Sequence, residues 1–393
     1  MINSILRVLT GDLIAKLASF ISFLILTWSQ SQENVALFVM ANSIIAICLD
    51  PSATFAIQKI VNDKFQEGNR LSTLRYTFLL GNITSVILVL FYSDFDSVEL
   101  KLSVSLFIVL TSGFIYRRVY WQSKKEFGNV SRETIYRYIF VLIGVVALFV
   151  HSNNYDVNPE LLYIYISILM TGYFLFICST EAKEKSFISW GRPCFSKRDL
   201  KIISYLIVLA LWGQIDILYS SVLMTEYDTV VMATALRFYS IFVVVISSMN
   251  TVILPNIHNV DKGALKSLLS LVVFFLACVA ISILLSPTIL PILTNGNYPE
   301  SVACFQILSI SLISSFFAIR SFNNLLAYGM HIKVIFIFVF SGIVKAGILM
   351  TLPLMIDIDL VYILSLSTLI SITFLNVAII VLNKFYENST FNV

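Results

Sequence analysis

Seven full charges stand inside long apolar runs: Asp12, Lys16, Asp50, Asp216, Arg237, Arg320 and Lys345. Each costs about 2.5–3.5 kcal/mol at the middle of an inserted helix. Charges kept at that cost usually face a bundle interior or a watery cavity and mark a path for ions or substrate. Bases in such a place suit an anion, phosphate above all, because cations pair strongly with its oxygens where water is scarce. Acids there suit ion coupling or gating. Lys16, Arg237, Arg320 and Lys345 outnumber Asp12, Asp50 and Asp216, so the set leans toward an anionic ligand.

Local spacing narrows the roles. Asp12 and Lys16 are four residues apart and share a helix face. Either they neutralise each other, or Lys16 faces a cavity and binds the anion. Asp50 precedes Pro51, which frees a backbone carbonyl and bends a helix. Asp50 then either caps the broken turn or takes part in gating, or in proton or sodium coupling. Asp216 sits within LALWGQIDILYSSVLM, and Arg237 lies early in the next run. At about 1.5 Å per residue both fall in the outer half of the bilayer, where antiparallel neighbours pair them. That pair is either a structural tie or one that rearranges. Arg320 lies near the end of its run, where it either snorkels to the surface or contacts the anion. Lys345, flanked by Gly342 and Gly347, is too deep to snorkel and is predicted to face a cavity.

The elements that carry these residues follow from composition. The chain has 393 residues, 58% hydrophobic and 12% charged, against about 25% charged in a soluble domain. Mean hydropathy is +0.89. Such a chain is a polytopic membrane protein, which sets aside soluble-enzyme and nucleic-acid functions. The apolar runs are continuous, not alternating, which excludes an outer-membrane barrel pattern. Twelve helical spans are predicted near 5–28, 35–58, 72–92, 101–120, 134–150, 160–179, 202–224, 229–254, 267–292, 302–326, 333–354 and 360–383.

Even-numbered connections hold most bases, such as Lys59, Arg117, Arg118, Lys124, Arg132, Arg137, Lys183 and Lys197. Odd-numbered connections hold acids, such as Asp94, Glu99, Glu160, Glu226, Asp228, Glu300 and Asp359. Bases stay on the cytoplasmic side during insertion, so both termini are predicted to be cytoplasmic. The longest connection, 181–201, is basic and broken by Gly191 and Pro193. It reads as a cytoplasmic linker between an N-lobe, 1–180, and a C-lobe, 202–393. The N-terminus reads as a retained span, because Asp12 and Lys16 interrupt the apolar run of a signal peptide.

No metal site or cofactor is expected. Cys48, Cys178, Cys194, Cys278 and Cys304 form no CxxC, and His151, His258 and His331 have no ligand spacing. No GxxxxGK[ST] loop is present, so ATP hydrolysis by this chain is not expected.

Several stretches appear in a familiar order: QIDILYSSVLM, VVMATALRFYSI, VILPNI, PILTNGNYPES and LLAYGMHIK. Upstream stand GDLIAKLASFISFLIL, ENVALFVMANSI and LDPSATFAIQKI. Together they resemble the Wzx-type oligosaccharide flippases, the polysaccharide-transporter branch of the multidrug/oligosaccharidyl-lipid/polysaccharide exporter superfamily. The resemblance matches Asp216 in span seven, Ala233 to Arg237 in span eight, Pro255, and the turn from Gly296 to Tyr298. It departs at Pro51, where the family has glycine, and at WSQSQENVALF after span one. It implies an all-α fold of two six-helix lobes around a central cavity that opens alternately to either side. It also implies a substrate, an undecaprenyl-pyrophosphate-linked oligosaccharide such as an O-antigen repeat unit, moved to the periplasmic leaflet of the bacterial inner membrane. The implied partners are that lipid-linked oligosaccharide, membrane lipids and other polysaccharide-assembly proteins, with no nucleic acid. Two alternatives compete: a drug/cation antiporter of the same superfamily, which favours an acid-rich cavity, and a membrane polysaccharide polymerase, which needs a large outer catalytic loop. Here the outer connections are short and nearly free of bases.

Overall fold

A computed structural model describes residues 2–62, 67–92, 95–124, 126–152, 160–181, 197–253 and 262–390. Among them run twelve helices and no strand: α1 (Ile2–Ser29), α2 (Gln32–Asn62), α3 (Glu67–Phe91), α4 (Val98–Ser123), α5 (Phe127–Ser152), α6 (Glu160–Glu181), α7 (Lys197–Leu223), α8 (Glu226–Ile253), α9 (Lys262–Leu293), α10 (Ser301–Ala327), α11 (His331–Met355) and α12 (Leu360–Thr390). Ten of them contain a stretch long and apolar enough to cross a membrane. In hydrocarbon every backbone group must bond within its own segment, which leaves helices as the only choice for continuous apolar runs. Most of the linker, residues 182–196, lies outside the described residues, as does Pro255.

Serines and threonines are common inside the spans because each finds an acceptor locally. Ser22 donates to the Ala18 carbonyl at 2.7 Å, Thr134 to Val130 at 3.0 Å and Thr234 to Val230 at 2.7 Å. Such bonds hide a hydroxyl without a partner helix. Two connections end in glycine-dependent stops. Met330 N–H bonds the Leu325 carbonyl and Gly329 N–H bonds Leu326, closing α10 with Gly329 at φ +73°. The α9 stop repeats this pattern, with Asn295 at φ +54° and Gly296 at φ +74°. Only such left-handed residues satisfy the last carbonyls in this way. The second stop is the turn expected from Gly296 to Tyr298, and Tyr298 is buried there.

The chain divides into two compact units, Met1–Gln214 and Ile215–Val393, with the boundary inside α7. In unit 1, α1 packs along α5, α2 against α3 and α4, and α4 against α5 and α6. Small residues set the closest approach. A Cβ on Gly11 would stand 2.7 Å from the Ser131 Cβ, so α1 and α5 meet backbone to backbone there. Gly11→Ala is therefore expected to lower unfolding stability in detergent by about 1–3 kcal/mol, read as a lower thermal midpoint. An unchanged midpoint would mean the helices separate freely.

In unit 2, α10 packs against α8, α9 and α12, and α11 against α12. Side-chain hydrogen bonds join the helices. Gln306 donates to the Ile283 carbonyl and to Ser286, both at 3.1 Å; Asn376 donates to Ser314 at 2.9 Å; Ser341 donates to the Ser371 carbonyl at 2.7 Å. At one end of the unit Tyr227 donates its hydroxyl to Glu300. Burial, helped by that bond to a carboxylate, pushes the Tyr227 phenol well above its ordinary range.

Candidate functional site

Unit 1 gathers charges from four helices. Asp12 of α1 accepts two hydrogen bonds from Arg118 of α4, at 3.1 and 3.3 Å. Of the two readings of Asp12 and Lys16, mutual neutralisation is set aside, because Asp12 is held by Arg118. Lys16, one turn along α1, is exposed. Asp50 of α2 is exposed too, and the charges acting on it most strongly are Arg137 of α5, then Lys16, then Arg118. The same three bases and Asp50 act on Tyr138, whose ring lies 4.9 Å from the Arg137 guanidinium. Among the described residues, neither Lys16 nor Arg137 has a carboxylate within ion-pair distance. The cluster holds three bases, Lys16, Arg118 and Arg137, against two acids, Asp12 and Asp50. The close α1–α5 packing at Gly11 brings the Asp12 turn against α5. Pro51 stays inside a continuous α2, where Ser52 donates to the carbonyls of Cys48 and of Thr77 on α3, both at 3.2 Å. Asp50 therefore stands on an intact helix, not at a broken turn.

A second network lies beside the first, between α4, α5 and α6. Glu133 is fully buried and takes hydrogen bonds from Arg117 Nε at 3.1 Å and from the Tyr173 hydroxyl at 3.1 and 3.2 Å. Arg132 approaches the same carboxylate at 3.8 Å.

Unit 2 handles its charges differently. Asp216 of α7 pairs with Lys345 of α11 and accepts a 2.6 Å hydrogen bond from Thr368 of α12. Lys345 is 2% exposed and Asp216 7%. The expected Asp216–Arg237 pair is thus replaced by Asp216–Lys345. The reason is position: Lys345, expected to face a cavity, is instead buried, and its ammonium is held by the Asp216 carboxylate. Arg237 is half-buried on α8 and engaged in contacts of its own, while Arg320 is exposed on α10. Tyr239 shares a 3.1 Å hydrogen bond with Ser311 and feels the Asp216 charge.

Sequence reasoning therefore missed Arg118, Arg137 and Tyr138, and the buried Arg117–Glu133 pair. In sequence these bases look the same as connection charges. One signal was available: Arg137 falls inside the span expected at 134–150, and α4 runs three residues past its expected end at 120.

The arrangement of unit 1 is chemically suited to hold an anion: an exposed lysine and two half-buried arginines, with two carboxylates for three cations. No protein-family model matches the sequence, and no curated protein is significantly similar to it. Solved structures do match. One is a MOP superfamily transporter from Pyrococcus furiosus, with TM-score 0.63, 13% identity, and coverage of 98% of this chain and 95% of that one. An outward-facing multidrug resistance MATE family transporter gives TM-score 0.62 at 11% identity, over 99% of this chain and 96% of that one. An inward-facing one gives 0.58 at 13% identity, over 96% of both chains. The chain thus has the fold of MATE-type transporters of the MOP superfamily.

Proposed function

We propose that this multi-pass membrane protein is a flippase of the bacterial inner membrane. It moves an undecaprenyl-pyrophosphate-linked oligosaccharide, an O-antigen repeat unit or similar, from the cytoplasmic to the periplasmic leaflet by alternating access. The observation that carries this reading is the unit 1 cluster, in which Lys16, Arg118 and Arg137 exceed Asp12 and Asp50 among membrane-spanning helices. A pyrophosphate brings the missing negative charge. Its lipid tail stays in the bilayer while the head crosses. Arg237 and Arg320 of unit 2 are the further bases assigned to the same ligand. Asp216 and Lys345 act as one neutral pair whose separation gates the cycle. A charge moving through 100 mV supplies about 2.3 kcal/mol, enough to bias such a cycle without ATP. Two six-helix lobes, cytoplasmic termini and residues 181–201 as linker complete this proposal.

The test is made in the host cell. Deleting the gene is expected to leave single lipid-linked units in the inner leaflet, shielded from an external sugar label. Single units displayed outside would instead point to a polymerase. The likeness to multidrug MATE transporters and the accessible Asp50 favour one rival, a drug/cation antiporter. Restored drug resistance on re-expression, with surface polysaccharide unaffected by deletion, would establish that rival.

A further inference from the structure

A stripe on α5 has no assigned role. Arg132, Tyr136 and Phe140 recur at every fourth residue, so they line one face. The stripe is accessible: the Arg132 side chain is 42% exposed and Tyr136 is 37% exposed. Tyr136 and Phe140 lie 6.2 Å apart, and Tyr173 of α6 packs against them at 5.3 and 5.6 Å. The Tyr173 hydroxyl reaches Glu133, so the aromatic stripe meets a polar end. That end is short of acceptors. Glu133 already serves Arg117 and Tyr173, and Arg132 reaches it only at 3.8 Å. The Arg132 Nε is buried without a partner, and so is the indole N–H of Trp121, whose ring lies 5.8 Å from the Arg117 guanidinium. Arg132 thus shares Glu133 with Arg117 and meets it only at the longer distance.

We propose that this face is a binding site for an anionic phospholipid of the surrounding bilayer. Its phosphodiester oxygens accept from Arg132 and Trp121 and balance the loosely held Arg132 charge. An acyl chain then runs along Tyr136, Phe140 and Tyr173, the stripe from Arg132 to Phe140 covering roughly 12 Å of helix at 1.5 Å per residue. A free phosphate ion would use the donors but not the aromatic stripe, and a zwitterionic lipid would leave the charge unbalanced. The site is independent of the substrate reading, because it lies on another face of α5 and uses none of the same side chains.

The experiment is native mass spectrometry of the purified full chain titrated with phosphatidylglycerol or phosphatidylethanolamine. One phosphatidylglycerol is expected to survive delipidation at least fivefold better than phosphatidylethanolamine. Arg132→Gln should erase that preference, and Tyr136→Ala should weaken both lipids. Trp121→Phe keeps the ring but removes the N–H, and should lower phosphatidylglycerol retention about threefold. It carries the test alone if the Arg132 variant does not fold. Equal retention of the two lipids by the wild type would overturn the site. So would full retention by a folded Arg132→Gln or Trp121→Phe variant. Displacement of the bound lipid by millimolar inorganic phosphate, or by equimolar undecaprenyl phosphate, would reassign the face and equally overturn it.

Discussion

Lys345→Met is expected to destabilise the protein by about 3–5 kcal/mol, the cost of leaving a buried carboxylate without its cation. The side chain has nearly the same volume, so packing on α11 changes little. Asp216 would keep only its Thr368 hydrogen bond inside a segment that is shielded from solvent. The same loss is expected for Asp216→Leu, which takes from the buried ammonium its carboxylate. The double variant, Asp216→Leu with Lys345→Met, removes both charges and should recover most of the loss, since a buried pair and a well-packed apolar pair differ little in net stability. Thermal midpoints in detergent for the four proteins give this cycle. Additive losses would mean that the two residues do not form the pair. The double variant also separates stability from gating. If it folds but translocates slowly, the pair has a functional role beyond holding α7, α11 and α12 together.

Arg137→Gln is expected to weaken binding of inorganic pyrophosphate by roughly thirtyfold, about 2 kcal/mol for a charge-assisted contact. Lys16→Gln should do the same. Both bases are without a direct carboxylate partner among the described residues, so an incoming anion need not break an ion pair seen there. Asp50→Asn should act in the opposite direction and tighten binding, because Asp50 lies in the field of the same bases and repels an incoming anion. Opposite signs from neighbouring side chains are hard to produce by misfolding. Isothermal titration of the purified protein reads all three, and the affinities should fall with added salt. Tighter binding after Arg137→Gln, or weaker binding after Asp50→Asn, would remove the anion assignment.

The helical architecture was legible because hydrocarbon leaves few options. Apolar runs of about 20 residues must be helices, and the expected spans fall on α1 to α12 apart from their ends; ten of these helices hold a stretch long and apolar enough to cross a membrane. Those ends are where the reading of the site went astray. Positive charge near a membrane end looks the same in sequence whether it serves insertion or lines a site. Arg118 and Arg132 were read as topology signals, yet one holds Asp12 and the other stands beside buried Glu133. Lys345 and Asp216 are both buried, but the sequence does not reveal that they are each other's partners. Pairing depends on which helices become neighbours, and α11 reaches Asp216 from more than a hundred residues away in sequence. Counting residues within adjacent spans favoured Arg237, which is near in sequence but engaged elsewhere.

The most direct measurement is translocation of a defined undecaprenyl-pyrophosphate oligosaccharide across the membrane of proteoliposomes. The wild-type chain should expose it to an external enzyme well above the protein-free rate. A folded triple variant, Lys16→Gln with Arg118→Gln and Arg137→Gln, should fall to that background. A triple variant that moves the lipid as fast as the wild type would contradict the assignment of the unit 1 bases to the pyrophosphate head.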